Sequence, residues 1–132
     1  MSHLQLLIVD DDDAIRSMLR HIVESDEYDV VGEAEDGHAG VNAAESLRPD
    51  LVLLDVSMPV MGGFLAARLL NAHMPELPII FITQHVEQSY VDEAFRCGAK
   101  GYVVKRAAAT ELPDAIRTVI TGQVFCSPLI QP

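Results

Sequence analysis

Four consecutive aspartates, Asp10 to Asp13, follow the apolar run Leu4–Val9, and a fifth, Asp55, follows the apolar run Leu51–Leu54. Brought into one crevice, the carboxylates of Asp10, Asp11 and Asp55 would repel. Two unit charges about 4 Å apart cost roughly 4 kcal/mol at an effective dielectric of 20. Such a cluster calls for a cation, and its hard oxygen donors suit a partly hydrated Mg²⁺. Two further apolar runs end in polar residues: Thr83 follows Ile79–Ile82, and Lys105 follows Gly101–Val104. A carboxylate, a hydroxyl, an ammonium and a metal around one point are what phosphoryl transfer requires. The cations neutralise the oxygens of the transferred group, and the hydroxyl binds one of them. Singly, a Thr or a Lys at a strand end is ordinary; together with three aspartates they point to chemistry. Asp12 and Asp13 have a plainer use, since one of them is expected to cap the first helix.

These residues meet only if the runs are neighbouring strands. The sequence alternates five apolar or β-branched stretches (Leu4–Val9, Tyr28–Gly32, Leu51–Leu54, Ile79–Ile82 and Gly101–Val104) with segments of helical period. Ile15, Met18, Leu19, Ile22 and Val23 make one apolar helix face, and Leu112, Ala115, Ile116, Val119 and Ile120 make another. Pro113 is expected in the first turn of that last helix, where a missing N–H costs little. Segments near 38–48, 64–73 and 86–97 carry the same tendency more weakly. Strand and helix alternating in this way predict an α/β fold, a doubly wound parallel sheet covered on both faces. The first, third and fourth strands are almost wholly apolar, as two-sided burial demands. The second and fifth are more mixed and suit the edges. The order 2-1-3-4-5 satisfies both facts with right-handed crossovers. Ligands of such sheets bind at the carboxyl ends of the strands where the order reverses, here between the first and third. Asp10, Asp11 and Asp55 stand at that place.

Length and composition set limits on the rest. The 132 residues fit one domain with an ordinary hydrophobic core. Cys97 and Cys126 form no framework and no metal-ligand spacing, and read as free thiols of a reducing compartment. Twenty acidic against nine basic residues, a net charge of −11, argue against nucleic acid as a direct ligand. The run Leu4–Val9 is too short for a signal peptide, and no other run approaches a membrane span. A cytoplasmic location is the expectation.

The residues in order resemble one family. Leu-Ile-Val-Asp10-Asp11, Leu-Val-Leu-Leu-Asp55-Val-Ser-Met58-Pro59-Val-Met-Gly-Gly63, Ile-Phe-Ile-Thr83 and Gly101-Tyr102-Val-Val-Lys105 are similar to the response-regulator receiver domain of two-component signalling. The resemblance spans about residues 4 to 122. It implies a flavodoxin-like (βα)5 sheet and a phosphoacceptor, Asp55, that takes its phosphoryl group from the phosphohistidine of a sensor histidine kinase. It further implies Mg²⁺, for which Mn²⁺ is expected to substitute, on Asp10, Asp11, Asp55 and the backbone carbonyl of Ser57. Thr83 and Lys105 would contact the phosphoryl oxygens. Tyr102 would report phosphorylation by rotating on the face formed by helix four, strand five and helix five. Ser57 and His85 would set the lifetime of the acyl phosphate. Such a domain is no enzyme in its own right, although it assists its own phosphorylation and dephosphorylation, and a homodimer on phosphorylation is one expected outcome. Residues 123–132, from Gln-Val-Phe-Cys-Ser127-Pro128, resemble the start of the linker in NarL/FixJ-type transcription regulators, where a helix-turn-helix DNA-binding domain follows. This marks residues 1–122 as the receiver. Both a fragment of such a regulator and a single-domain receiver fit.

Departures from the family pattern and rival readings bear on these expectations. Gly62 replaces a usual acidic residue, and Gln84 is bulkier than the small residue common beside Thr83. Arg106 stands where many receivers carry a cis-proline, and a cis Lys-Arg bond would cost about 2.5–4 kcal/mol. A flavin binder of the same sheet order would need a phosphate-cradling loop where Asp10–Asp13 stand. An aspartate-nucleophile phosphatase would carry a second acid where Ser57 stands. A phosphorylation-independent pseudo-receiver, acting as a protein-binding module, would have lost part of the Asp10, Asp11, Asp55 and Lys105 set. The remaining histidines, His3, His21, His38 and His73, read as surface residues.

Overall fold

The computed structural model describes residues 4–132. One six-stranded parallel sheet has the order β2-β1-β3-β4-β5-β6. Its strands are β1 (Leu4–Val9), β2 (Tyr28–Ala34), β3 (Leu51–Leu54), β4 (Ile79–Thr83), β5 (Gly101–Val104) and β6 (Phe125–Cys126). The helices are α1 (Asp13–Val23), α2 (Gly37–Leu47), α3 (Gly63–His73), α4 (Gln88–Arg96) and α5 (Ala108–Ile120), the last entered through a 3₁₀ turn, Lys105–Ala107. This is the expected flavodoxin-like arrangement with one short strand added outside β5. Among the described residues, no helix is long and apolar enough to cross a membrane.

Strand side chains alternate between faces, and the core divides accordingly. Leu7, Val9, Val52, Leu54, Ile79, Phe81 and Tyr102 pack with Val41 and Ala44 of α2, Ala66 and Leu70 of α3, and Val91 of α4. Leu6, Ile8, Leu51, Leu53, Ile80, Ile82 and Val103 pack with Leu19 and Val23 of α1 and with Leu112, Ile116 and Val119 of α5. Two-sided burial is why β1, β3 and β4 read as almost wholly apolar runs, with only exposed Gln5 interrupting β1.

Three local expectations are corrected. First, β2 extends past Gly32 to Ala34, because Glu33 and Ala34 continue the ladder opposite Ile8 and Val9. The ladder slips by one residue between Leu6 and Leu7, at Val31. Second, β5 is not an edge. All four of its residues are buried, because β6 pairs with Gly101 and Tyr102 on its outer side. Third, Pro113 is the sixth residue of α5 rather than part of the first turn. The run Ala107-Ala108-Ala109 consists of strong helix formers and draws the start of the helix back to Ala108. The bond Pro113 forgoes is to the carbonyl of Ala109, an exposed residue where solvent can replace it. The Lys105–Arg106 peptide is trans, as are all described peptides.

The β3–α3 loop holds a strained residue. Met61 N–H donates to the Pro59 carbonyl at 2.7 Å, closing a three-residue turn around Val60, whose φ is +66° and which is 85% exposed. A β-branched residue in this rarer sense of turn stores strain of about 1–3 kcal/mol. Val60→Gly should therefore raise stability by about 1 kcal/mol after the extra entropy of the unfolded glycine is deducted. A urea titration checks this, and a lowered midpoint would remove the strain argument.

Candidate functional site

The sheet ladder itself delivers the carboxylates. Asp10 N–H donates to the Ala34 carbonyl at 3.0 Å, and Asp55 N–H donates to the Val9 carbonyl at 3.0 Å. Each backbone thus continues one residue past its strand, and both side chains emerge at the same carboxyl edge. Asp10 is 1% exposed and Asp55 is 5% exposed. Lys105, entering from the end of β5, lies 3.1 Å from Asp55 Oδ2 and 3.0 Å from Asp10 Oδ2. The other Asp55 oxygen, Oδ1, accepts the Val56 N–H at 2.8 Å. Asp10 Oδ1 accepts the Asp12 N–H at 2.9 Å. Asp12 caps α1 by accepting the Ala14 and Ile15 amides, and Asp13 begins the helix.

The charges here are in tension. Burial, the largest influence, raises the Asp10 carboxyl, and Asp55 adds to it, against the Asp12 amide and Lys105. For Lys105, burial opposes the charge, but the hydrogen bonds and charges of Asp10 and Asp55 together outweigh it and leave the ammonium raised. Asp10 Oδ2 has the ion pair to Lys105 without hydrogen-bond alignment, and no other partner, although it is fully buried. Oxygens of Asp10, Asp11 and Asp55 all lie within 4.8 Å of one another. A buried, under-partnered oxygen between two further carboxylates, with exposed Asp11 open to water, fits a hard, partly hydrated divalent cation.

These groups border an open cleft of about 780 Å³ lined also by Ser57, Thr83, Gln84 and His85. Thr83 is fully buried, and its Oγ accepts the His85 N–H at 3.4 Å. Ser57 Oγ and His85 Nε2 lie 3.2 Å apart. The His85 ring stacks on Tyr90 of α4, with ring centres 4.0 Å apart. Tyr102 is wholly buried and donates its hydroxyl to the His85 carbonyl at 3.0 Å. Burial pushes its phenol well above the ordinary range. All eight residues singled out in the sequence thus stand in or against one cleft, with Tyr102 behind it.

Lys105 is joined by a second cation near the acidic edge. Arg16 of α1 donates to the Asp10 carbonyl at 2.5 Å and also pairs with Asp13 and Glu33, steadying the turn that carries the acidic pair. Only its place one helical turn past the acidic run could have suggested this. Gly63 was also missed. Its N–H donates to the Val56 carbonyl at 2.8 Å, and a Cβ there would overlap the carbonyl oxygen of Asp55. Of the other histidines, His21 and His38 are exposed, and His73 is exposed beside Glu45. His3 lies outside the described residues. Cys97 and Cys126 are free thiols.

Two outcomes follow from this packing. A carboxyl whose folded pKa is raised favours the fold below its unfolded pKa and loses that contribution as pH rises through the folded value. Ionised Asp10 therefore works against the fold at neutral pH, and Asp10→Asn should raise the melting temperature of the metal-free chain by about 3 °C; a fall would show that Lys105 needs both carboxylates. Gly63→Ala must displace the backbone of Asp55 and should destabilise by about 2 kcal/mol or more in denaturant titration. An unchanged midpoint would mean the loop yields freely.

The sequence of residues 6–117 matches the model of the response regulator receiver domain. The chain is 37% identical over 128 residues to the response regulator GacA of Pseudomonas viridiflava, covering 96% of this chain and 60% of that protein. It is 31% identical over 128 residues to the transcriptional regulatory protein DegU of Brevibacillus brevis, covering 96% of this chain and 54% of that one. It therefore spans a little over half the length of such relatives. The crystal structure of a LuxR-family two-component response regulator from Aurantimonas sp. SI85-9A1 superposes with a TM-score of 0.91 at 31% identity, covering 96% of this chain and 91% of that one. The signal receiver domain of the putative response regulator NarL from Mycobacterium tuberculosis does so with 0.88 at 28% identity, covering 93% and 100%. With the acidic edge, the lysine bridge and the sheet order in place, this chain belongs to the response regulator receiver domain family, among its NarL/LuxR-type members.

Proposed function

We propose that this chain is a phosphoryl-accepting switch in which Asp55 takes a phosphoryl group from a phosphohistidine of a sensor histidine kinase. The observation that carries this reading is the buried Asp55–Lys105–Asp10 arrangement, in which an under-partnered Asp10 oxygen stands beside the acceptor carboxylate. An oxygen of Asp55 forms the new bond to phosphorus as the phosphorus–nitrogen bond breaks, and the imidazole leaves with the electron pair. Asp10, Asp11, Asp55 and the backbone carbonyl of Ser57 would hold Mg²⁺. Bound there, the cation supplies charge neutralisation for the phosphoryl oxygens. Lys105 shifts its ammonium from the bare carboxylates to one of those oxygens, and the Thr83 hydroxyl binds another. Ser57 and His85, joined across the mouth of the cleft, govern the access of water and so the lifetime of the acyl phosphate.

The domain works as a switch rather than a turnover catalyst. Added charge at Asp55 biases two arrangements of the face formed by α4, β5 and α5, with Tyr102 as the aromatic that couples them. The length of relatives named as transcriptional regulators supports an output through a DNA-binding domain outside residues 1–132. The net charge of −11 supports protein surfaces and cations, rather than nucleic acid, as direct partners of this chain, which acts in the cytoplasm. Self-association on phosphorylation belongs to the same reading.

Intact-mass spectrometry after incubation with acetyl phosphate tests the proposal. The native chain should gain one phosphoryl group that requires Mg²⁺ or Mn²⁺, and Asp55→Asn should gain none. A native chain that takes up nothing while folded, or an adduct that survives Asp55→Asn, would overturn it.

A further inference from the structure

The irregularity in β2 and the arginines of α1 belong together. Tyr28 and Val30 pack on the side of the sheet covered by α1 and α5. Ala34 packs on the opposite side, and a Cβ at Gly32 would meet Leu47 of α2 there. Residues two apart on a regular strand share a face, so the slip at Val31 is what separates Val30 from Gly32. The same slip turns Glu33 toward α1. Its two carboxylate oxygens there take Arg16 Nε at 3.0 Å and Arg20 Nη2 at 2.7 Å. An even strand would have sent Glu33 to the α2 side.

Arg16 carries this brace to the acidic edge. Its side chain is 11% exposed and spans three segments, with Nη1 on the Asp10 carbonyl at 2.5 Å, Nη2 on Asp13 and Nε on Glu33. The peptide it grips is the one that joins Asp10 to Asp11. The next peptide, from Asp11 to Asp12, is held by the Asp12 N–H on Asp10 Oδ1 at 2.9 Å. Both peptides that flank Asp11 are therefore fixed, although its own side chain is exposed. Lys105 also holds the carboxylates of Asp10 and Asp55, whereas Asp11 depends on its backbone for its place.

We propose that Arg16, aimed by Glu33 and the slip at Val31, is a positioning residue that sets Mg²⁺ affinity by fixing Asp11; the inference rests on the phosphoryl-accepting reading above. A ligand already in place loses little freedom when the ion binds, so the groups that orient it contribute to affinity. Charge alone predicts the reverse. Arg16 is a cation near a cation site, and its removal would leave Asp13 and Glu33 without it. On electrostatics alone, Mg²⁺ would then bind more tightly. Positioning and charge thus have opposite signs, and an affinity measurement separates them.

Calorimetric titration of the full chain with Mg²⁺ tests this, with acetyl phosphate uptake followed by intact mass over the same Mg²⁺ range. Arg16→Ala should raise the Kd for Mg²⁺ about tenfold, while the rate of uptake at saturating Mg²⁺ stays within about twofold of native. Arg16→Lys keeps the charge without the planar fork, and should also weaken binding, by about fivefold. Arg20→Ala releases the other oxygen of Glu33 but leaves the Asp10 carbonyl held, and should change the Kd less than about twofold. Native-like or tighter Mg²⁺ binding in either Arg16 variant would overturn the brace and leave the phosphoryl-accepting reading standing. A native chain that neither binds Mg²⁺ nor takes up a phosphoryl group overturns both.

Discussion

The cleft rests on an electrostatic compromise between burial and charge. Asp10 and Asp55 are drawn inside because the β1 and β3 ladders continue one residue beyond the apolar runs, and the sheet gives them no choice of position. Ionised carboxylates in such a place are tolerable only with a cation, and Lys105 serves both. One ammonium cannot align with every oxygen, which leaves Asp10 Oδ2 under-partnered. That shortfall makes the site receptive to a second cation, and it dictates the rest of the neighbourhood. Arg16 steadies the acidic turn through the Asp10 backbone carbonyl and the Asp13 carboxylate rather than neutralising Asp10 or Asp55, and Gly63 lets the β3–α3 loop close against Asp55 without a side chain in the way.

Much of this was legible in the sequence for a simple reason. Strands buried on both faces must be apolar throughout, so the polar residue that ends each one stands out; Asp10, Asp55, Thr83 and Lys105 are all of that kind. Parallel topology then fixes where such residues meet. What was not legible depends on contacts between distant segments. A two-residue strand such as β6 carries no period, and its pairing with Gly101 and Tyr102 is visible only once α5 has turned the chain back. Pro113 signals a helix start near itself, yet the alanines before it carry α5 back to Ala108. Arg16 resembled any solvated helix residue until the fold set the Asp10 carbonyl beside it.

Rival readings of the same sheet meet physical obstacles at the same edge. A flavin phosphate at the β1–β3 junction would face Asp10, Asp11 and Asp55 within 4.8 Å of one another, where an anion is repelled and a cation is welcomed. An aspartate-nucleophile hydrolase needs a second acid near the nucleophile to serve the leaving group, and the cleft offers Ser57 hydrogen-bonded to His85 instead. The acidic edge and the family of the chain therefore agree.

The placement of the aromatic residues has a consequence for how the molecule can be watched. The chain has no tryptophan and only three tyrosines, so its ultraviolet emission comes from Tyr28, Tyr90 and Tyr102. Two of these converge on His85, Tyr90 by stacking on its ring and Tyr102 through its hydroxyl. Any rearrangement of that loop alters the surroundings of two of its three natural fluorophores at once. The protein thus carries an optical gauge of its own state, readable in dilute solution without a dye.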